Sequence, residues 1–297
     1  LLVTLGFSAL GLVACRDSAT TAEAPAVSAP ELAMIGANLL EGLGNHRFSV
    51  TSAHPEVQRW FDQGLMLTYG FNHDAAERSF LKATELDPSC AMCWWGASLV
   101  LGPHVNAGME PADAADAWSR LQRARQLAPG ASEREQAFIT ALSARYAEQP
   151  PEDRRPLDEA YAAATGELVK QRPDDLDAAV FHAEAMMDLQ PWDYYDADLQ
   201  PKGHTAEVVQ VLESVMARNP DHAGALHLYV HAVEASADPQ RGAVAADGHV
   251  VEGEQVHPGE VLDLADGDAH DVGEGDGPGP APGRLGARED QEALGVA

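Results

Sequence analysis

Apolar positions recur with a helical period through the middle of the chain, and prolines cut the pattern at near-regular intervals. Pro88, Pro129, Pro173 and Pro220 close the phrases E-L-D-P, Q-L-A-P, Q-R-P and A-R-N-P, with gaps of 41, 44 and 47 residues. An amphipathic stretch precedes and follows each proline, which predicts pairs of helices joined by turns. The pattern places one pair between Trp60 and Pro88. It places further helices near Glu133–Glu148, Leu157–Gln171, Asp175–Leu189, Thr205–Arg218 and His222–Ala235. A chain rich in Ala, with few aromatic residues and few β-branched runs, favours helix over sheet.

Trp60, Gly64, Ala76, Phe80, Ala83 and Pro88 have a spacing that closely resembles the tetratricopeptide repeat (TPR). Trp94, Ala117, Leu121, Ala124 and Pro129 repeat the logic, with the extra residues in a loop over Gly102–Met109. The likeness weakens to topology in the later units. It implies an all-α, TPR-like solenoid over residues 46–241, built of four helical hairpins and an orphan helix. In such an array the first helix of each unit lines a concave groove that takes a peptide or protein segment. Counting from the loop prolines puts Phe61, Leu65, Trp95, Leu99, Gln136, Thr140 and Glu184 on that groove, with Trp94 in the core. Gly64 and Ala76 are expected where two helices approach closely, and Phe80 and Ala83 against the next unit.

The groove changes character along its length. His227, His231 and Glu234 follow one another at intervals of four and three residues, so they share a helical face. Glu184 holds, in its own helix, the place His231 holds in the next. This set is the basis of an alternative reading, zinc or copper bound by His227, His231 and Glu234 with Glu184. A hydrogen-bonded polar wall accounts for the same residues. His182 is expected between helices.

The formal charge of -28 argues against nucleic acid, whose phosphates need a basic surface. At the other extreme, Leu12-Val13-Ala14-Cys15 closes an apolar run too short to span a membrane and resembles a bacterial lipobox. The resemblance implies lipidation at Cys15 and a place in the bacterial cell envelope, outside the cytoplasm, with a lipid anchor as the only membrane attachment. Residues 1–15 are then a signal remnant and 16–45 a flexible tether. Residues 242–297 hold 13 Asp or Glu against two Arg, and 12 glycines, without Phe, Trp, Tyr or Lys. They read as a disordered low-complexity tail, either translated from a wrong reading frame or a natural acidic tail. Cys90 and Cys93 lack the following His of a haem site and a second ligand pair. A local disulfide or two inert thiols come first, a redox pair and a metal site after. No phosphate-binding, nucleophile-elbow or H-E-x-x-H motif is present. The sequence therefore reads as a non-enzymatic scaffold without a cofactor, its partner a peptide or protein.

Overall fold

The computed structural model describes residues 38–247; Cys15, the tether before residue 38 and the tail beyond residue 247 lie outside the described residues. Ten α-helices form the described part: α1 (Val57–Tyr69), α2 (His73–Leu86), α3 (Ala91–Leu99), α4 (Ala114–Leu127), α5 (Glu133–Leu142), α6 (Arg155–Gln171), α7 (Leu176–Met187), α8 (Thr205–Arg218), α9 (Ala223–Val233) and α10 (Gln240–Asp247). No sheet is present among the described residues, so the all-α expectation holds. No helix there is long and apolar enough to cross a membrane.

The prolines act as read. Helices α2, α4, α6 and α8 end at Leu86, Leu127, Gln171 and Arg218, each two residues before its proline, because proline has no N–H to continue the ladder. The next helix restarts on a side-chain cap. Ser132 and Glu135 form a capping box, the Asp175 carboxylate accepts the Ala178 N–H, and His222 Nδ1 accepts the Ala225 N–H.

Each helix packs on its sequence neighbour, and the odd-numbered helices also meet one another: α1 with α3, α3 with α5, and α9 with both α7 and α1. The last of these brings the two ends of the described region together around a shared interior. Phe80 on α2 shows how closely the elements approach. A Cβ on Gly64 or Gly96 would lie 2.7 or 2.5 Å from its ring. Glycine at both positions admits the ring between α1 and α3.

Two boundaries move. Residues 38–40, assigned to the tether, are docked: Leu40 N–H donates to Gln63 Oε1 at 2.7 Å, and Gln63 Nε2–H donates to Asn38 O at 2.9 Å. At the far end α9 is not an orphan, because α10 runs past residue 241 and packs on it. Gly242 permits the approach, with Val233 Cγ2 3.2 Å from where its Cβ would be. Leu226, Leu228 and Val233 are buried.

Candidate functional site

Four aromatic rings from four helices meet in the interior: Phe61 (α1), Trp95 (α3), Phe138 (α5) and Phe181 (α7). Trp95 lies edge-on to Phe138 and Phe181 at 5.9 and 5.5 Å, and its indole N–H donates to Phe138 O at 3.2 Å. The chain's own N-terminal segment fills the space before them. Phe48, with no exposed surface, sits 5.5 Å from Phe61 and 5.0 Å from Phe138, and the Arg134 guanidinium lies 3.6 Å above its ring.

Residues 48–53 have no strand partner, so side chains satisfy their main chain. The N–H groups of Phe48, Val50 and Thr51 donate to Asp62, Gln58 and Glu135 at 3.1, 3.1 and 2.7 Å. Gln58 returns its amide N–H to Phe48 O at 2.7 Å. Glu135 serves twice, closing the capping box of α5 and accepting the Thr51 hydroxyl at 2.5 Å. Asp87, past the end of α2, accepts the Ser52 hydroxyl and the Ala53 N–H. Burial pushes the Asp62 carboxyl up to about 6, against the hydrogen bonds from Gln58 and Phe48. Burial acts in the same direction on Asp87, yet hydrogen bonds from Ser52 and Ser89 bring its carboxyl below the usual value.

Phe61, Leu65, Trp95 and Leu99 do face the interior, but all four are buried, with residues 46–53 lying over the aromatic pair. Trp94 and Trp95 exchange exposure: Trp94, assigned to the core, is half-buried and donates its indole N–H to Pro88 O. Gln136 and Thr140 are out of phase. Their polar groups bond back to Ala131 O and Gln136 O within their own turn and helix. Glu135 and Phe138 take the inner positions instead. A 3-10 turn over Ala128–Gly130 and the Ser132 cap set the start of α5, so a fixed count from Pro129 misses its inner face.

Asp177, at the first turn of α7, anchors the beginning of the segment. Its Oδ1 accepts from Tyr69 OH at 2.7 Å and His46 Nε2 at 2.9 Å, with His222 Nε2 at 3.5 Å; its Oδ2 accepts from Arg134 at 2.8 Å. Burial would raise this carboxyl, but His222 and His46 beside it hold it far below the ordinary range. Among the described residues, His46, Asp177 and His222 form a group of three ligand-type side chains close enough to hold a metal ion. His222 Nδ1 accepts a backbone N–H, and its Nε2, buried 3.5 Å from Asp177 Oδ1, has no hydrogen-bond partner among the described residues.

His227 and His231 lie one turn apart on α9. His227 Nδ1 bonds Tyr69 O, and His231 Nδ1 bonds Glu234 Oε1 at 3.0 Å, while the two Nε2 atoms lie 3.0 Å apart. Phe71 packs on both rings at 4.5 and 5.8 Å, and Trp192 meets His231 edge-on at 5.4 Å. Phe71 and Trp192 have φ of 57° and 61°, a left-handed backbone that costs a bulky residue roughly 1–3 kcal/mol and clusters at functional sites. Trp192 is 54% exposed. Beyond Phe71, burial and the Arg145 charge keep His104 neutral, its imidazole lowered to about 4.

Glu234 bonds His231, as the hydrogen-bonded polar wall has it, and Glu184 does not join the pair in a three-ligand group among the described residues. Glu184 is buried, and burial pushes its carboxyl up to about 7 against the pull of Arg145. His182 sits between α6 and α7, bonded to Thr165. Cys90 and Cys93 form a buried disulfide at the start of α3. Gln58, Asp62, Asp87, Glu135 and Asp177, which hold the inner segment, escaped the sequence reading. The signal that locates the interior is the series Phe61, Trp95, Phe138, Phe181, spaced 34, 43 and 43.

No family model matches the chain, and no curated protein or solved structure matches it.

Proposed function

We propose that the protein is a non-enzymatic scaffold, a TPR-like solenoid that binds an extended peptide or protein segment along its inner groove at the bacterial cell envelope. The observation that carries the reading is the manner in which residues 48–53 are held. Side chains of the inner helices and their turns take up the main-chain N–H groups, which every extended peptide offers, and one aromatic side chain enters an apolar pocket. The chain's own segment holds the place of a partner, which binds when that segment gives way. The acidic lining of Asp62, Asp87 and Glu135 favours a partner without acidic side chains at the contact. The placement in the envelope rests on the resemblance of Leu12–Cys15 to a lipobox.

The test uses the full chain with Phe48→Ala and a labelled peptide covering residues 43–54. Anisotropy should show saturable binding to the variant and at least about tenfold weaker binding to wild type, whose own segment competes. Equal, weak binding to both, with helix content unchanged by circular dichroism, would reject the proposal.

A further inference from the structure

The geometry points to a partner whose aromatic residue is followed, three and four positions on, by two adjacent hydroxyl residues, Ser or Thr, which the groove takes only unmodified. This inference rests on the groove reading above and uses the chain's own segment as its template. Main-chain N–H groups are common to every peptide and carry no sequence information; side-chain hydroxyls do. Phe48 sets the register, and Thr51 and Ser52 are the third and fourth residues after it. Glu135 Oε1 accepts the Thr51 N–H at 2.7 Å, and its Oε2 accepts the Thr51 hydroxyl at 2.5 Å. Asp87 Oδ2 accepts the Ser52 hydroxyl at 2.5 Å and the Ala53 N–H at 3.2 Å. Two carboxylates from separate elements thus each take one N–H and one hydroxyl from consecutive residues.

Neither carboxylate is free to turn away. Glu135 Oε2 also accepts the Ser132 N–H at 2.7 Å, and Asp87 Oδ1 accepts the Ser89 N–H and hydroxyl at 2.9 and 2.5 Å. Glu135 is 1% exposed and Asp87 8%, so water does not readily replace a missing hydroxyl. Hydrogen bonds to a charged acceptor are the stronger kind, and a partner with Val or Ala at these positions leaves a buried oxygen short of a donor. A phosphate fares worse. It brings about 1.5 to 2 negative charges and only acceptor oxygens to a place that needs a donor, against an Asp87 carboxyl already held below its usual value. The groove therefore selects for two hydroxyls and against their phosphates. Ser49, one position past the aromatic residue, is exposed, and the partner's residue there is left unread.

The full chain with Phe48→Ala is titrated with the labelled peptide of residues 43–54 and with altered versions of it, so that the protein's own fold is the same in every arm. Thr51→Val and Ser52→Ala in the peptide should each weaken binding about tenfold. Phosphothreonine at 51 or phosphoserine at 52 should weaken it at least about 100-fold, whereas phosphoserine at 49 should cost less than about fivefold. Asp87→Asn in the protein, with helix content checked by circular dichroism, should shrink the penalty of phosphoserine at 52 by about fivefold or more. If the unaltered peptide binds and the hydroxyl-free peptides bind within about twofold of it, the hydroxyl reading is overturned while the groove stands. Phosphate at 49 as damaging as phosphate at 52 overturns it too, by showing general charge repulsion. If the unaltered peptide does not bind, the groove reading falls first and takes this inference with it.

Discussion

Glu184 gives the interior a pH dependence that one substitution isolates. Its carboxyl, ordinarily near 4.5, is pushed up to about 7 by burial, against the attraction of Arg145. Arg145 already donates to Asp188 at 2.9 Å, and burial raises that carboxyl too. One guanidinium thus serves two buried acids, and a charge on Glu184 is poorly compensated. Between pH 4.5 and 7 the folded protein holds a proton that the unfolded chain has released. Stability from this group is complete below about 4.5 and is lost as pH rises through about 7. At about 1.4 kcal/mol for each pH unit of that window, the loss approaches roughly 3 kcal/mol by pH 8. Glu184→Gln keeps the shape and removes the titration. Urea unfolding of both proteins at pH 5, 6, 7 and 8 should therefore show curves that meet near pH 5 and separate by about 2–3 kcal/mol at pH 8, the variant being the more stable. Parallel curves would refute the assignment, and a variant less stable at pH 8 would show that the Glu184 charge is well compensated.

Gly96→Ala drives a methyl into the Phe80 ring, 2.5 Å from the Cβ position, and should cost about 1–3 kcal/mol by denaturant unfolding; a neutral result would mean that the ring moves freely. Arg134→Leu removes the guanidinium that lies 2.6 and 2.8 Å from Asp175 and Asp177, and leaves Asp177 with Tyr69 and His46 alone to meet its charge beside His222. Arg134 is partly exposed, so the expected loss is near 3 kcal/mol, the low end for broken buried pairs, and an unchanged unfolding midpoint would contradict it. Expressed in a bacterium, the full chain should incorporate labelled fatty acid and fractionate with membranes, and Cys15→Ser should release it; an unlabelled, soluble wild-type protein would end the lipobox reading.

The helical architecture was legible because punctuation and period are local properties. Pro88, Pro129, Pro173 and Pro220 each sit two residues past a helix end, and Gly64, expected where two helices approach closely, lies against the Phe80 ring. What failed depended on phase and on contacts far apart in sequence. Counting from Pro129 misses the inner face of α5 because the Ser132 cap sets the start of that helix. The order of Trp94 and Trp95 turns on a rotation of about 100° between adjacent helical positions. Phe48 was invisible for another reason: a single extended pass without a strand partner has no period to detect. Asp177 draws partners from residues 46, 69, 134 and 222, a convergence that only the folded chain displays. Glu234 and His231 share the face that their spacing predicts and bond each other, while helical spacing by itself leaves open which oxygen meets which nitrogen.

The central claim is that residues 46–53 occupy a binding groove and can leave it. Hydrogen exchange of the wild-type protein measures this directly, through the amides of Phe48, Val50 and Thr51. Local opening exposes them without unfolding the helices. They should be protected, yet exchange at least about 100-fold faster than the innermost amides of α1 and α3, with little dependence on low denaturant. Protection equal to those helices, rising and falling with them in denaturant, would contradict the account by making the segment a permanent part of the core.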